Sequence, residues 1–276
     1  MAPAALGLTL ASAVLHAIWN ALLKRSKDVD ATSAVAFAAA VAIAALLALV
    51  WRAPAFPQVA AVGWALVAGC GEGGYFIGLV GSLERAPLGW SYAWMRGGAL
   101  LVAWPAGLLL GEPVDGLAVA AVVGMLAGLA LLGGATGGVR GGRALPYVLT
   151  AALSIAVYNA CYKLSLGAGA SPPALYAVSM AVGLGIQALY RRRRGGRLKP
   201  VALGPALLVG VVCLVAFLCY LVALRTSPSA AVLTLRNTSI VFTFILGWAL
   251  GERPRPREAA GALLVSLGAV LLGWPR

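Results

Sequence analysis

What most constrains this chain is a succession of ten apolar runs, none shorter than 17 residues, with only short polar, glycine or proline breaks between them. They extend over Ala4–Leu23, Ala31–Val50, Val62–Leu83, Leu88–Leu110, Leu117–Gly134, Pro146–Leu166, Pro173–Tyr190, Val201–Leu224, Ser229–Leu250 and Glu258–Trp274. An apolar helix of roughly 20 residues crosses the hydrocarbon of a bilayer with every backbone hydrogen bond satisfied internally. The runs therefore predict an all-α integral membrane protein of ten transmembrane helices, and the short breaks leave no room for a soluble catalytic domain. Composition agrees: 11% of the residues are charged, against about 25% in a soluble domain, and mean hydropathy is +0.94. The two-residue alternation of a membrane β-barrel is absent. The opening MAPAALGLTL has no basic stretch and runs on into Trp19-Asn20, so a retained first span is expected rather than a cleaved leader.

The net charge of +13 does not point to nucleic acid, because the main basic cluster, Arg191 to Arg194 with Arg197 and Lys199, sits in a short break where such residues set membrane orientation. Breaks after the odd-numbered spans hold 15 basic residues; the opposite side holds four, Arg52, Lys163, Arg225 and Arg276. The positive-inside rule makes the first set cytoplasmic and puts both termini on the other side. Cys70, Cys161, Cys213 and Cys219 lie within apolar runs, without a CxxC pair or a neighbouring histidine. They read as small packing residues, and neither metal nor cofactor is expected.

The glycine-rich stretch ATGGVRGGRAL, Ala135 to Leu145, divides the chain near its middle. Residues 1–134 and 146–276 would be two five-span units joined by a flexible linker, 135–145. Sliding one along the other supports duplication. At an offset of 139, Trp19-Asn20-Ala21, Lys24 and Ser26 fall on Tyr158-Asn159-Ala160, Lys163 and Ser165. At 141, Gly63, Gly69, Phe76 and Pro87 meet Gly204, Gly210, Phe217 and Pro228. At 140, Arg96 and Gly111-Glu112 meet Arg236 and Gly251-Glu252. An odd number of spans per unit means that equivalent helices run in opposite directions, so the repeat is inverted, the usual construction of secondary transporters.

Three segments carry a resemblance: His16 to Asn20 followed by Lys24, MRGGALLVAWPAGLLLGEP from Met95, and LRNTSIVFTFILGWALGERP from Leu235. They resemble the EamA-type carriers of the drug/metabolite transporter superfamily. The resemblance implies ten helices, the fifth and tenth peripheral and most others around a central cavity. It also implies cytoplasmic termini, which the charge count opposes.

Three ionisable residues fall near span centres, Glu72, Arg96 and Arg236. A charge at the bilayer centre costs about 2.5 to 3.5 kcal/mol on insertion scales, so such groups face one another, a polar cavity or a ligand. One reading is an ion pair locking the third span to the fourth; the other is a substrate or proton site. Glu72 has no acidic counterpart in the second unit, where Cys213 replaces it, and is the candidate proton-coupling group. Its glycines, in GCGEGG, serve either helix packing or close ligand approach. Tyr75 shares its face, and Tyr92 precedes Arg96 by one turn. Ser12, His16, Trp19 and Asn20 gather on one side of the first span. His16 carries protons or is a neutral hydrogen-bonding core residue, the plainer reading. Trp19-Asn20 and their counterparts Tyr158-Asn159 would pack, hydrogen-bond or gate the cavity. Glu112 and Glu252 would stabilise turns.

No nucleophile elbow or phosphate-cradling loop is present, so an enzyme is not expected. The sequence points to a secondary transporter of the plasma (bacterial inner) membrane. It would export or exchange a small polar, zwitterionic or anionic metabolite, and the alternative is a flippase or scramblase of lipid headgroups. Its expected partners are that small-molecule substrate and the lipid bilayer.

Overall fold

The computed structural model describes residues 1–51, 53–109, 116–134, 139–196, 200–249, 251 and 255–273. Among them every regular element is helical: α1 (Pro3–Lys24), α2 (Val29–Val50), α3 (Val59–Leu83), α4 (Leu88–Leu109), α5 (Gly116–Gly134), α6 (Val139–Gly167), α7 (Pro172–Arg193), α8 (Leu203–Thr226), α9 (Ser229–Arg236), α10 (Ser239–Ala249) and α11 (Pro256–Gly273). Proline begins α1 and α7, where a missing N–H costs nothing. Asp28 caps α2 by accepting from the Ala31 amide at 2.9 Å. Six helices, α1, α2, α3, α6, α7 and α8, are long and apolar enough to cross a membrane. The protein is a multi-pass integral membrane protein. Its surface fits that solvent: Leu49 is 83% and Val59 89% exposed, faces that hydrocarbon covers and water would not.

Two expectations need correction. The ninth apolar run is not one helix: α9 and α10 are separated at Asn237–Thr238. Around the break Asn237, Thr238, Ile240 and Val241 each donate to the carbonyl three residues back, at 2.9 to 3.1 Å, so the chain tightens into 3₁₀ turns. The linker is not flexible coil from Val139 onward, since residues 139–145 form the first turns of α6. The rest of it lies outside the described residues, as do Glu112 and Glu252.

The principal helix contacts join the first half to the second: α3 with α6 and α7, α2 with α7 and α8, α1 with α8 and α10, α4 with α6, and α5 with α11. Exchanging α1 with α6, α2 with α7, α3 with α8, α4 with α9–α10, and α5 with α11 reproduces this set. Matching side chains follow the same exchange. Lys24 Nζ donates to the carbonyls of Leu83 and Ala86, and Lys163 Nζ to those of Leu224 and Ser227. Glycines set the closest approaches. A Cβ at Gly69 or Gly73 would lie 2.5 Å or 2.7 Å from the Cβ of Val182 or Ile186, so both face α7. Gly71 and Gly78 meet α6 in the same way, at the carbonyls of Ser154 and Tyr147. The GCGEGG glycines thus pack α3 between α6 and α7.

Candidate functional site

Where α1, α3, α4, α6, α8 and α9 converge, the core turns polar. His16, Glu72 and Arg236 are fully buried, and Arg96 is 1% exposed. His16, one helical turn before Asn20, is the hub. Arg96 Nη2 of α4 approaches its Nε2. Arg236 Nη2 of α9 lies 3.1 Å from its Nδ1, and Trp19 Nε1 also donates to that nitrogen at 3.1 Å. The two arginines, 140 positions apart in the chain, therefore meet at one imidazole.

A neutral imidazole offers one acceptor nitrogen, and a protonated one offers none. Three donors compete for it. Arg96 Nη1 and Arg236 Nε and Nη1 have no hydrogen-bond partner among the described residues, and each such buried donor costs about 1 to 3 kcal/mol. Arg236 is held otherwise: its Cζ lies 4.2 Å from the Tyr220 ring centroid and 4.6 Å from that of Phe217. Desolvated cation–π contacts of this kind reach about 2 kcal/mol. Arg96 has one looser aromatic neighbour, Tyr92, at 5.8 Å.

Glu72 does not form the ion pair that would lock the third span to the fourth. The described residues show ion pairs only for Arg85 with Glu84 and Arg191 with Asp30. Tyr162 of α6 donates to Glu72 Oε1 at 2.7 Å, and Ser179 of α7 lies 3.0 Å from the same hydroxyl. Glu72 Oε2 has no partner. The buried centre thus holds two guanidiniums and one carboxyl that does not pair with them.

The remaining candidates surround this cluster. Tyr75 turns to α6, its ring 5.9 Å from that of Tyr158, whereas Phe76 turns to α2 and stacks on Phe37 at 4.4 Å. Tyr92 lies 5.7 Å from the His16 ring, and Trp19 packs edge-on against Phe37. Asn20 bonds back to the His16 carbonyl at 2.8 Å. Asn159 accepts from Tyr220, joining α6 to α8. Ser12 reaches the Ala216 carbonyl of α8 at 2.7 Å.

Tyr162, Ser179, Phe217, Tyr220 and Asn237 are the neighbours that sequence reasoning missed. Tyr162 carries a readable signal, lying one turn beyond Tyr158 on the same face. Asn237 adjoins Arg236, and its amide donates to the Arg96 carbonyl at 3.3 Å, tying the two arginine positions together.

The EamA-like transporter family model matches residues 142–274, the stretch that holds Tyr162, Tyr220 and Arg236. Over that stretch, a little under half of its length, the chain is similar to the EamA-like transporter family. That similarity indicates a membrane transporter of the drug/metabolite superfamily. No curated protein matches the chain. A solved structure described only as "Crystal structure of protein" superposes with a TM-score of 0.74 at 18% identity, covering 97% of this chain and 95% of that one. That likeness shows a shared fold over both halves.

Proposed function

We propose that this EamA-like protein is a secondary carrier, moving a small anionic or zwitterionic metabolite by alternating access through a central site between two inverted five-helix repeats. The observation that carries the reading is the convergence of Arg96 and Arg236 on His16 with more buried donors than acceptors. A carboxylate or phosphate supplies the missing acceptors and balances the second guanidinium, and the flat fork of arginine suits bidentate binding. Exchange symmetry in the helix packing supports the repeat, whose axis would set the two arginines on facing walls. Glu72, outside the arginine pair, is the candidate for proton coupling or for the ammonium of a zwitterion. The plasma membrane is the proposed location, with the Arg191–Lys199 loop in the cytoplasm.

Uptake of radiolabelled carboxylates into proteoliposomes tests this. Arg96→Lys and Arg236→Lys are expected to weaken anion uptake roughly tenfold or more, because lysine keeps the charge but loses the fork. Glu72→Gln is expected to keep binding but remove dependence on a pH gradient. Unchanged affinity in both lysine variants would overturn the anion site, and unchanged gradient dependence in Glu72→Gln the proton role. Scrambling of fluorescent lipid without solute uptake would replace the carrier reading with lipid handling.

A further inference from the structure

Resting on the carrier reading, we propose that Asn237, Ser239 and Thr243 form a second part of the site, a row of neutral oxygens that takes the hydroxyl groups of a hydroxylated carboxylate. All three residues are fully buried. Asn237 Oδ1, Ser239 Oγ and Thr243 Oγ1 have no hydrogen-bond partner among the described residues. This is unusual for hydroxyls in helices, which ordinarily return their proton to a carbonyl three or four residues back. Thr234 and Thr238 in the same segment do so, to Ala230 at 2.7 Å and Leu235 at 2.8 Å. Ser239 and Thr243 do not.

Register directs Ser239 and Thr243 toward the side of the segment that Arg236 faces. The 3₁₀ turns at the break carry three residues per turn, so Ser239 repeats the direction of Arg236, and Thr243 follows four residues later on the same face. The segment packs on α1 and α4, the helices that bring His16 and Arg96. The frame itself does not demand polarity there, because the first-half counterparts of Asn237, Ser239 and Thr243 are Gly97, Ala99 and Ala103. A bare cation fits these oxygens poorly, since Arg236 adjoins them and the amide of Asn237 is spent on the Arg96 carbonyl. A ligand hydroxyl fits well, as it both donates and accepts, like the serine and threonine hydroxyls it would meet. The ligand class is therefore an anion whose carboxylate lies on the arginines and whose hydroxyls run along α10.

The experiment compares binding of propanoate and glycerate, which share a three-carbon carboxylate and differ by two hydroxyls, to the purified full-length protein by calorimetry. Glycerate is expected to bind roughly tenfold more tightly, the equivalent of one to two net hydrogen bonds. S239A/T243A installs the alanines of the first half and is expected to bring that ratio to about one, with propanoate affinity unchanged. Equal binding of both anions by the native protein would overturn the row, as would a ratio that survives the double substitution. A double variant that only melts earlier, with its ratio intact, would overturn it too and leave the hydroxyls as holders of structural water. If neither anion binds, or R236K leaves both affinities unchanged, the carboxylate site itself fails. Arginine-dependent binding without hydroxyl preference fails the row alone.

Discussion

The segments that follow the two arginines make an instructive pair. After Arg96 come Gly97, Gly98 and Ala99, and α4 runs on unbroken to Leu109; after Arg236 come Asn237, Thr238 and Ser239, and the helix stops and restarts. Intrinsic propensity says the reverse, since a glycine pair costs a helix more than asparagine and threonine do. The difference lies in what each segment touches. Gly97 lies against the Leu129 side chain of α5, and a Cβ on Gly98 would stand 3.0 Å from that of Ala152 on α6, so neighbours hold the glycine turn in place. Asn237 spends its side chain on the Arg96 carbonyl, and Thr238 bonds the Leu235 carbonyl, taking an acceptor from the helical ladder. Close packing keeps one helix whole; polar side chains open the other.

The most severe way to break this comparison is to fill the glycine. Gly97→Leu must displace Leu129, and overpacking of this kind costs about 3 kcal/mol at its upper end. A large fall in melting temperature in detergent is expected, while Gly124→Leu on α5, whose Cβ position meets nothing within 4 Å, leaves it unchanged. Equal effects would show that the Gly97 contact does not hold α4. A milder change sharpens the other half of the pair. Asn237→Ala removes the bond to Arg96 and is expected to let the α9–α10 junction regain helical bonds. Amide exchange across residues 234–241 should slow by about fivefold, corresponding to about 1 kcal/mol. Exchange that is unchanged or faster would mean the break is set by something other than Asn237.

The pair also explains which parts of the structure were legible beforehand. Apolar run lengths located the helices to within a few residues, because the length needed to cross hydrocarbon is fixed. The break at Asn237 was not read, since the polar stretch Arg236 to Ser239 sits inside an otherwise apolar span of full crossing length, and the bond made there goes to a residue 141 positions away. Arg96 and Arg236 stood out because isolated charges in apolar runs are rare, and they occupy matching places when the two halves are aligned. His16 was singled out as well, though not as the partner the arginines share, and the phenol partner of Glu72 was missed because Tyr162 comes from another helix 90 residues on. Glycine richness misled at 139–145, where the backbone is helical despite its composition.

A smaller effect concerns a second contrast, between the two ends of α7. At its C-terminal end Arg191 grips Asp30 of α2 through Nε at 2.5 Å and Nη2 at 2.8 Å, and Gln187 donates to Asp30 and to Ser33, each at 3.1 Å. Its N-terminal end is tied by backbone, the Ser171 amide donating to the Ala55 carbonyl at 3.0 Å, with Gly169 in the left-handed region at φ 92° against Pro57. On the proposed alternating-access reading α2 parts from α7 at each end in turn, and among the described residues only the first end is held by an ion pair. Asp30 keeps 31% of its side chain exposed, so the pair is partly screened by water and is worth up to about 1 kcal/mol. A cysteine in place of Ser33 of α2 reports on the separation at that end, because Ser33 is fully buried and accepts from Gln187 of α7 at 3.1 Å. In a Ser33→Cys protein whose four native cysteines are replaced, Asp30→Asn is expected to raise labelling by a permeant maleimide up to about fivefold, the factor that corresponds to about 1 kcal/mol. Glu84→Gln, which removes an ion pair between adjacent residues, leaves the rate unchanged. High salt should reproduce part of the Asp30→Asn effect in the native pair and add nothing in the variant. A labelling rate insensitive to Asp30→Asn would mean that the ion pair does not hold this end of α7 closed.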